Sequence, residues 1–249
     1  MMRKKIVAGN WKMFQNSFSI KDFIEDFPPL VADIDDIEHI IFPPFVYLNL
    51  FQAQNKIPYG AQNMHFEERG AFTGEISAGM LRDLGCKFVL IGHSERRHIF
   101  KETPEMLEKK ILAALQDELT PIYCIGEKIE ERRSGKTFEV LSSQLRDGLS
   151  EVRDLTKVII AYEPVWAIGT GETATPEIAE EAHVFIRSEL ETIMPGISED
   201  ISVLYGGSVK PENTKELIKM KNIDGFLVGG ASLKPETLAQ ISRFSVEEK

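Results

Sequence analysis

The stretch Val158-Ile159-Ile160-Ala161-Tyr162-Glu163-Pro164-Val165-Trp166-Ala167-Ile168-Gly169-Thr170-Gly171, with Thr175-Pro176-Glu177 soon after it, decides the fold. The apolar run from Val158 to Tyr162 suits a strand buried on both faces, as in a parallel sheet. A helix signal follows. Pro176 loses nothing at a first helical position, because its missing N–H would have no partner there. Glu177 complements the positive end of the helix dipole, and Thr175 is placed to cap it. From 176 to 194, Ile178, Ala182, Phe185, Ile186 and Ile193 recur at helical spacing, which predicts one apolar face. The stretch is thus one strand-then-helix unit.

The same unit recurs in both directions along the chain. Strands are expected at 5–10, 38–42, 57–63, 88–93, 121–126, 158–163, 202–206 and 225–228. Thr103-Pro104-Glu105 and Lys210-Pro211-Glu212 repeat the helix-start signal, with Thr103 as a cap. No Pro/Ser/Gly linker, charge block or low-complexity tract divides the chain. Eight such units in 249 residues predict a single (β/α)8 barrel domain over 1–249, with a parallel eight-stranded barrel ringed by helices. An open, doubly wound sheet is the structural rival. It would carry a glycine-rich dinucleotide turn after the first strand, and Gly9-Asn10-Trp11-Lys12 is not one.

Composition narrows the function. A formal charge of −10 disfavours nucleic acid, which needs clustered Lys and Arg. An anionic substrate would meet an unfavourable overall field, so any phosphate site must be built locally from backbone N–H groups and a few cations. The two cysteines, Cys86 and Cys124, have no metal-type spacing and read as reduced thiols of a cytoplasmic protein. The first residues lack a signal-peptide core, and no apolar run is long enough for a membrane span. The five histidines show no metal-ligand spacing.

A barrel demands that its functional groups lie at the C-terminal ends of the strands. Lys12 follows the first strand, His93 ends the fourth and Glu163 ends the sixth. Glu163 sits among bulky apolar groups, and such surroundings strip water from a carboxylate and strengthen it as a proton acceptor. The competing reading is a structural acid paired with a cation. His93 precedes a helix start in Ser94-Glu95-Arg96-Arg97, where the dipole favours a neutral ring that can still donate a hydrogen bond to a carbonyl oxygen. It could equally be an ordinary satisfied polar residue. Lys12 is either a local anion anchor or a solvated lysine. His39, His65, His98 and His183 have no comparable setting and read as structural or surface groups.

Gly169, Gly206-Gly207-Ser208 and Gly229-Gly230 follow the last three strands, where barrels commonly bind phosphate. Segment 163–175 has an apolar middle between Pro164 and Gly169/Gly171, the make-up of a lid. Cys124 ends the fifth strand near the expected base, and packing is the favoured role for it.

Taken together, these motifs resemble the triosephosphate isomerase family. The resemblance is carried in order by Gly9-Asn10-Trp11-Lys12-Met13, Ala61-Gln62-Asn63, Gly70-Ala71-Phe72-Thr73-Gly74-Glu75, Gly92-His93-Ser94-Glu95-Arg96-Arg97, Cys124-Ile125-Gly126-Glu127, Tyr162-Glu163-Pro164-Val165-Trp166, Tyr205-Gly206-Gly207-Ser208 and Gly229-Gly230-Ala231-Ser232. It implies interconversion of dihydroxyacetone phosphate and D-glyceraldehyde 3-phosphate, a step of glycolysis and gluconeogenesis, without a cofactor or metal. It implies Glu163 as the base and neutral His93 as the electrophile, the roles for which this family's chemistry is known. Lys12 and Asn10 would line the substrate site. Gly169, Ser208, Gly229 and Gly230 would contact phosphate, and Glu95 would hold Lys12 or a partner-subunit group. The resemblance also implies a homodimer, formed through loop 64–77 with Thr73 and Glu75. A loop of that length bearing Phe72 would be costly to leave exposed. Another phosphate-binding barrel enzyme would not need Lys12, His93 and Glu163 together with the lid. A catalytically dead scaffold would not be expected to keep all three.

Overall fold

A computed structural model describes residues 3–54, 56–168 and 174–246. Eight parallel strands alternate with helices, as the sequence predicts. The strands are β1 (Lys5–Asn10), β2 (Ile37–Phe42), β3 (Gly60–Ala61), β4 (Phe88–Ile91), β5 (Thr120–Ile125), β6 (Ile159–Tyr162), β7 (Val203–Tyr205) and β8 (Gly225–Val228). The helices are α1 (Ser17–Leu30), α2 (Leu48–Gln54), α3 (Ala78–Asp83), α4 (Ser94–His98), α5 (Pro104–Gln116), α6 (Ile129–Arg133), α7 (Thr137–Leu149), α8 (Pro176–Ile193), α9 (Pro211–Ile218) and α10 (Pro235–Phe244). The strand order runs β2-β1-β8-β7-β6-β5-β4-β3. The two ends meet where the Ile41 amide donates to the Pro58 carbonyl at 3.0 Å and Ile41 bridges Tyr59, which brings the sheet round into a barrel.

The nearly continuous apolar runs follow from two cores. Ile6 and Ala8, Ile40 and Phe42, Phe88 and Leu90, Ile122 and Cys124, Ile159 and Ala161, with Leu204 and Leu227, fill the barrel. Their neighbours Val7, Ile41, Val89, Tyr123, Ile160, Val203 and Phe226 pack outward against the helices. Alternation with period two is present, yet both faces are apolar because both are covered.

The first and last strands keep their expected boundaries and the others shift by at most two residues, except the third. Expected over 57–63, it pairs regularly only at Gly60–Ala61. Pro58 has no N–H to give a ladder. After Ala61, the side chain of Gln62 takes over, donating to the Phe42 carbonyl at 2.8 Å. The cap signals hold: Thr103 accepts from the Met106 amide and Thr175 from the Ile178 amide.

The bottom of the barrel is tied by a charged cluster. Asp224 accepts from Arg3, from buried Arg187 and from the Val203 amide, and so joins the N-terminal arm, α8, β7 and β8. Removing one partner of such a pair strands a buried charge and costs about 3–5 kcal/mol.

Two histidines read as structural are held uncharged, His183 fully buried and His39 half-buried. Burial pushes His39 down to about 4 and His183 to about 3. The unfolded chain therefore takes up protons near pH 6.5 that the folded chain refuses. Stability is full above that pH and is lost as the pH falls toward the folded values. Thermal melts should drop between pH 6.5 and 5, and His39→Leu should flatten that slope. A variant with an unchanged slope would remove His39 as a cause.

Candidate active site

The inward series on each strand delivers the site. One step beyond the barrel core, the same parity reaches Asn10 from β1, Gly126 from β5, Glu163 from β6, Gly206 from β7 and Gly229 from β8. On β4 the left-handed Gly92 (φ 75°) breaks the series and delivers His93. A cleft of about 300 Å³ is lined by Asn10, Lys12, His93, Glu163, Ser208, Gly229 and Gly230. Every expected site residue except Gly169 thus lines one cavity. Gly169 lies outside the described residues, as does 169–173 of the expected lid.

α4 organises His93 and Glu163 through its first turn. His93 is the residue that caps it, and its Nδ1 accepts from the Glu95 amide at 3.2 Å. A nitrogen that accepts carries no proton, so this bond selects the tautomer with its hydrogen on Nε2. Nε2 stands 3.2 Å from Oε1 of Glu163. Oε2 of Glu163 accepts from the Ser94 amide at 2.9 Å. Both side chains are buried. Their neighbours leave little room: a Cβ at Gly206 would sit 2.9 Å from Cγ of Glu163.

Lys12 supplies the cation. Its ammonium donates to Oε1 of Glu95 at 2.8 Å, as expected for Glu95. Its backbone is left-handed (φ 50°), a conformation that costs a lysine about 1 kcal/mol or more and needs support. Support comes from both sides. Asn10 Oδ1 accepts from the Lys12 amide at 3.0 Å, and Gln62 Nε2 donates to the Lys12 carbonyl at 2.8 Å. The Lys12 stem passes Gly229, where a Cβ would lie 3.8 Å from Cε.

Sequence reasoning quoted Gln62 and Trp11 without giving either a role. Trp11 is fully buried, and its indole donates to the Ser232 carbonyl at 3.0 Å, while Ser232 bonds back to the Gly229 carbonyl. The first loop is thereby locked to the last. A tryptophan beside a lysine was the only hint of this, since the partner lies 221 positions away.

Glu127 was also passed over. Its buried carboxylate accepts from the Tyr162 hydroxyl and, at 2.8 Å, from the Trp166 indole, and its carbonyl accepts from the Val165 amide. This carboxylate therefore grips the leading end of the expected lid. Burial pushes its proton affinity up, against these hydrogen bonds and Arg132. Cys124 fits its packing role. It is fully buried, and burial together with the nearby Glu163 charge pushes its thiol far above the ordinary range. Among the described residues, no group of three or more His, Cys, Asp or Glu side chains is placed to hold a metal ion.

The triosephosphate isomerase family model matches residues 5–245, nearly the whole barrel. The chain belongs to the triosephosphate isomerase family. It is 51% identical to the triosephosphate isomerase of Geobacter metallireducens, over 98% of this chain and 99% of that one. It is 48% identical to that of Dictyoglomus turgidum (97% and 100% covered) and 47% identical to that of Aquifex aeolicus (96% and 98%). Membership makes the chain an isomerase.

The His93 arrangement has a direct spectroscopic test. Nitrogen NMR of ring-labelled protein at neutral pH should show a protonated Nε2 and a bare Nδ1. A doubly protonated ring, or the opposite tautomer, would contradict the capping geometry.

Proposed function

We propose that the chain interconverts dihydroxyacetone phosphate and D-glyceraldehyde 3-phosphate through an enediolate, with Glu163 as base and His93 as electrophile. The observation that carries this reading is a buried carboxylate and an imidazole Nε2 facing each other at 3.2 Å in a cleft that Lys12 also lines. Glu163 removes a proton from the carbon next to the carbonyl. The Nε2–H of His93 donates to the carbonyl oxygen as charge builds on it. The hydroxyl proton passes from the one enediolate oxygen to the other, which His93 faces, and the proton held by Glu163 returns to the neighbouring carbon. To reach carbon, the carboxylate leaves the Ser94 amide, which frees lone pairs that the hydrogen bond now occupies.

Lys12 offsets the substrate's negative charge inside a molecule of formal charge −10. Asn10 lines the same wall. Gly169, Ser208, Gly229 and Gly230 present donors to the phosphate. Phosphate binding energy, remote from the reacting carbons, holds the lid 163–175 shut and keeps water from the enediolate. The reading calls for no cofactor, because carbanion charge spreads onto oxygen. It places the chain in glycolysis and gluconeogenesis, with a link to the pentose phosphate route, and in the cytoplasm. Among the described residues, no helix is long and apolar enough to cross a membrane. No nucleic acid partner is called for.

A homodimer completes this reading. Beside the active cleft lies a second hollow of about 200 Å³, lined in part by Lys12, Met13, Gln62, His93, Glu95 and Phe100. Met13 is 94% exposed, and Val46, Ile99 and Phe100 are also open to solvent. Loop 64–77 is pinned at its base by His65 and Ile76, and Phe72 packs on the His65 ring at its tip. We read the hollow as the seat for this loop from a second copy, with Thr73 and Glu75 near the site.

Two measurements test the reading. Glu163→Asp and Glu163→Gln should fold normally, yet lose about 10²-fold or more in kcat with glyceraldehyde 3-phosphate in a coupled assay. Near-normal turnover by a folded variant would remove Glu163 as base. Thr73→Arg should sediment as a monomer with depressed activity, and an unshifted dimer would reject loop 64–77 as the contact.

A further inference from the structure

We propose that Gln144, on an outer helix, is a positioning residue that holds the backbone of the base in place through Gly126. The inference rests on the reading of Glu163 as base. It starts from a contact without side-chain room. A Cβ at Gly126 would lie 1.8 Å from the Glu163 carbonyl oxygen and 3.3 Å from its Cα. Position 126 must therefore be glycine, and a glycine has no side chain with which to fix itself. Beyond β5 it also has no strand ladder.

The carboxamide of Gln144 takes the place of that ladder. Its Oε1 accepts from the Gly126 amide at 2.8 Å, and its Nε2 donates to the Gly126 carbonyl at 3.1 Å. Only a side chain with a donor and an acceptor side by side can do both. The helix is itself seated for this. The Tyr123 hydroxyl donates to the Gln144 carbonyl at 2.6 Å. Gly148, one turn on, leaves space for the Tyr123 ring, which would lie 2.4 Å from a Cβ there. α7 can thus approach β5 closely and carry its amide over the end of the strand.

Two functional segments hang on the clamped peptide. Upstream, the Ile125 carbonyl accepts from the Glu163 amide at 2.7 Å. Downstream, Glu127 holds Tyr162, Trp166 and the Val165 amide. A shift at Gly126 therefore moves the base and the leading end of the lid together. None of these bonds involves the expected phosphate contacts Ser208, Gly229 and Gly230. The signature of a positioning role is a loss in kcat without a loss in phosphate affinity.

The test compares the full-length wild type with Gln144→Glu and Gln144→Met. Glutamate keeps one acceptor and turns the other against the Gly126 carbonyl. Methionine matches the length and makes neither bond, and it decides the matter if the glutamate variant does not fold. Steady-state kinetics with glyceraldehyde 3-phosphate, competitive inhibition by inorganic phosphate and thermal melts are measured on each. The expected result is a kcat lowered roughly tenfold or more, because misplacing a reacting group by an ångström is costly. KM and phosphate inhibition should stay within about twofold. A folded variant with wild-type kcat overturns the proposal. So does a parallel loss of kcat and phosphate affinity, which would mark a general loosening of the mouth. An inactive wild type would instead sink the assignment of the base, and this inference with it.

Discussion

The hydrogen bond from the Glu95 amide to Nδ1 of His93 governs the site. It fixes which ring nitrogen carries the proton, and so leaves a donor on the side that faces Glu163. The same first turn of α4 aims the Ser94 amide at the Glu163 carboxylate and places the Glu95 side chain on Lys12. Three consecutive residues thus hold the electrophile, the base and the cation of the proposed reaction. The left-handed Gly92 makes this geometry reachable, because it turns the chain out of β4 just before His93. A five-residue helix contributes little macrodipole, so its effect comes mainly from individual N–H groups aimed at short range.

The cation is harder to hold than the imidazole. The protein is strongly acidic, and Lys12 sits in a backbone conformation that a lysine resists. Asn10 and Gln62 bond to its amide and carbonyl, and the buried Trp11 ties the same loop to Ser232. The outlay on backbone strain gives a preorganised charge that need not search for its position when an anion arrives. Preorganisation of this kind is worth most in a dry site, where a charge interacts strongly and no solvent has to reorient.

The fold was legible in the sequence because its signal is redundant. Each strand carries residues for both the barrel interior and the helix layer, as Ile159, Ile160, Ala161 and Tyr162 do on β6. A boundary misread by one residue does not disturb that pattern. The third strand is shorter than its apolar run because Pro58 cannot donate, and a side-chain amide from Gln62 replaces the ladder. The polar residues at strand ends were legible for a related reason, since a charge that ends an apolar run needs a purpose. Gln62, Trp11 and Gln144 were not legible. Each works through a partner distant in sequence, and a glutamine on a helix face looks the same whether it meets water or a backbone peptide. Gly169 lies outside the described residues, so its expected phosphate contact stays with the proposal.

The glycines at the barrel mouth explain why such outside support is needed. Gly126 and Gly206 have no side chains because Glu163 occupies the space where their Cβ atoms would lie. Packing Glu163 this tightly removes the groups that would ordinarily lock neighbouring loops. A glycine peptide left to itself has wide conformational freedom. The stiffness must then come from elements one layer out, where α7 reaches Gly126 with an amide and Glu127 grips Trp166. The site's precision is therefore a property of the helix ring as well as of the residues in the cleft. For this reason the contact of Gln144 with Gly126 belongs to the chemistry, although Gln144 does not line the cleft.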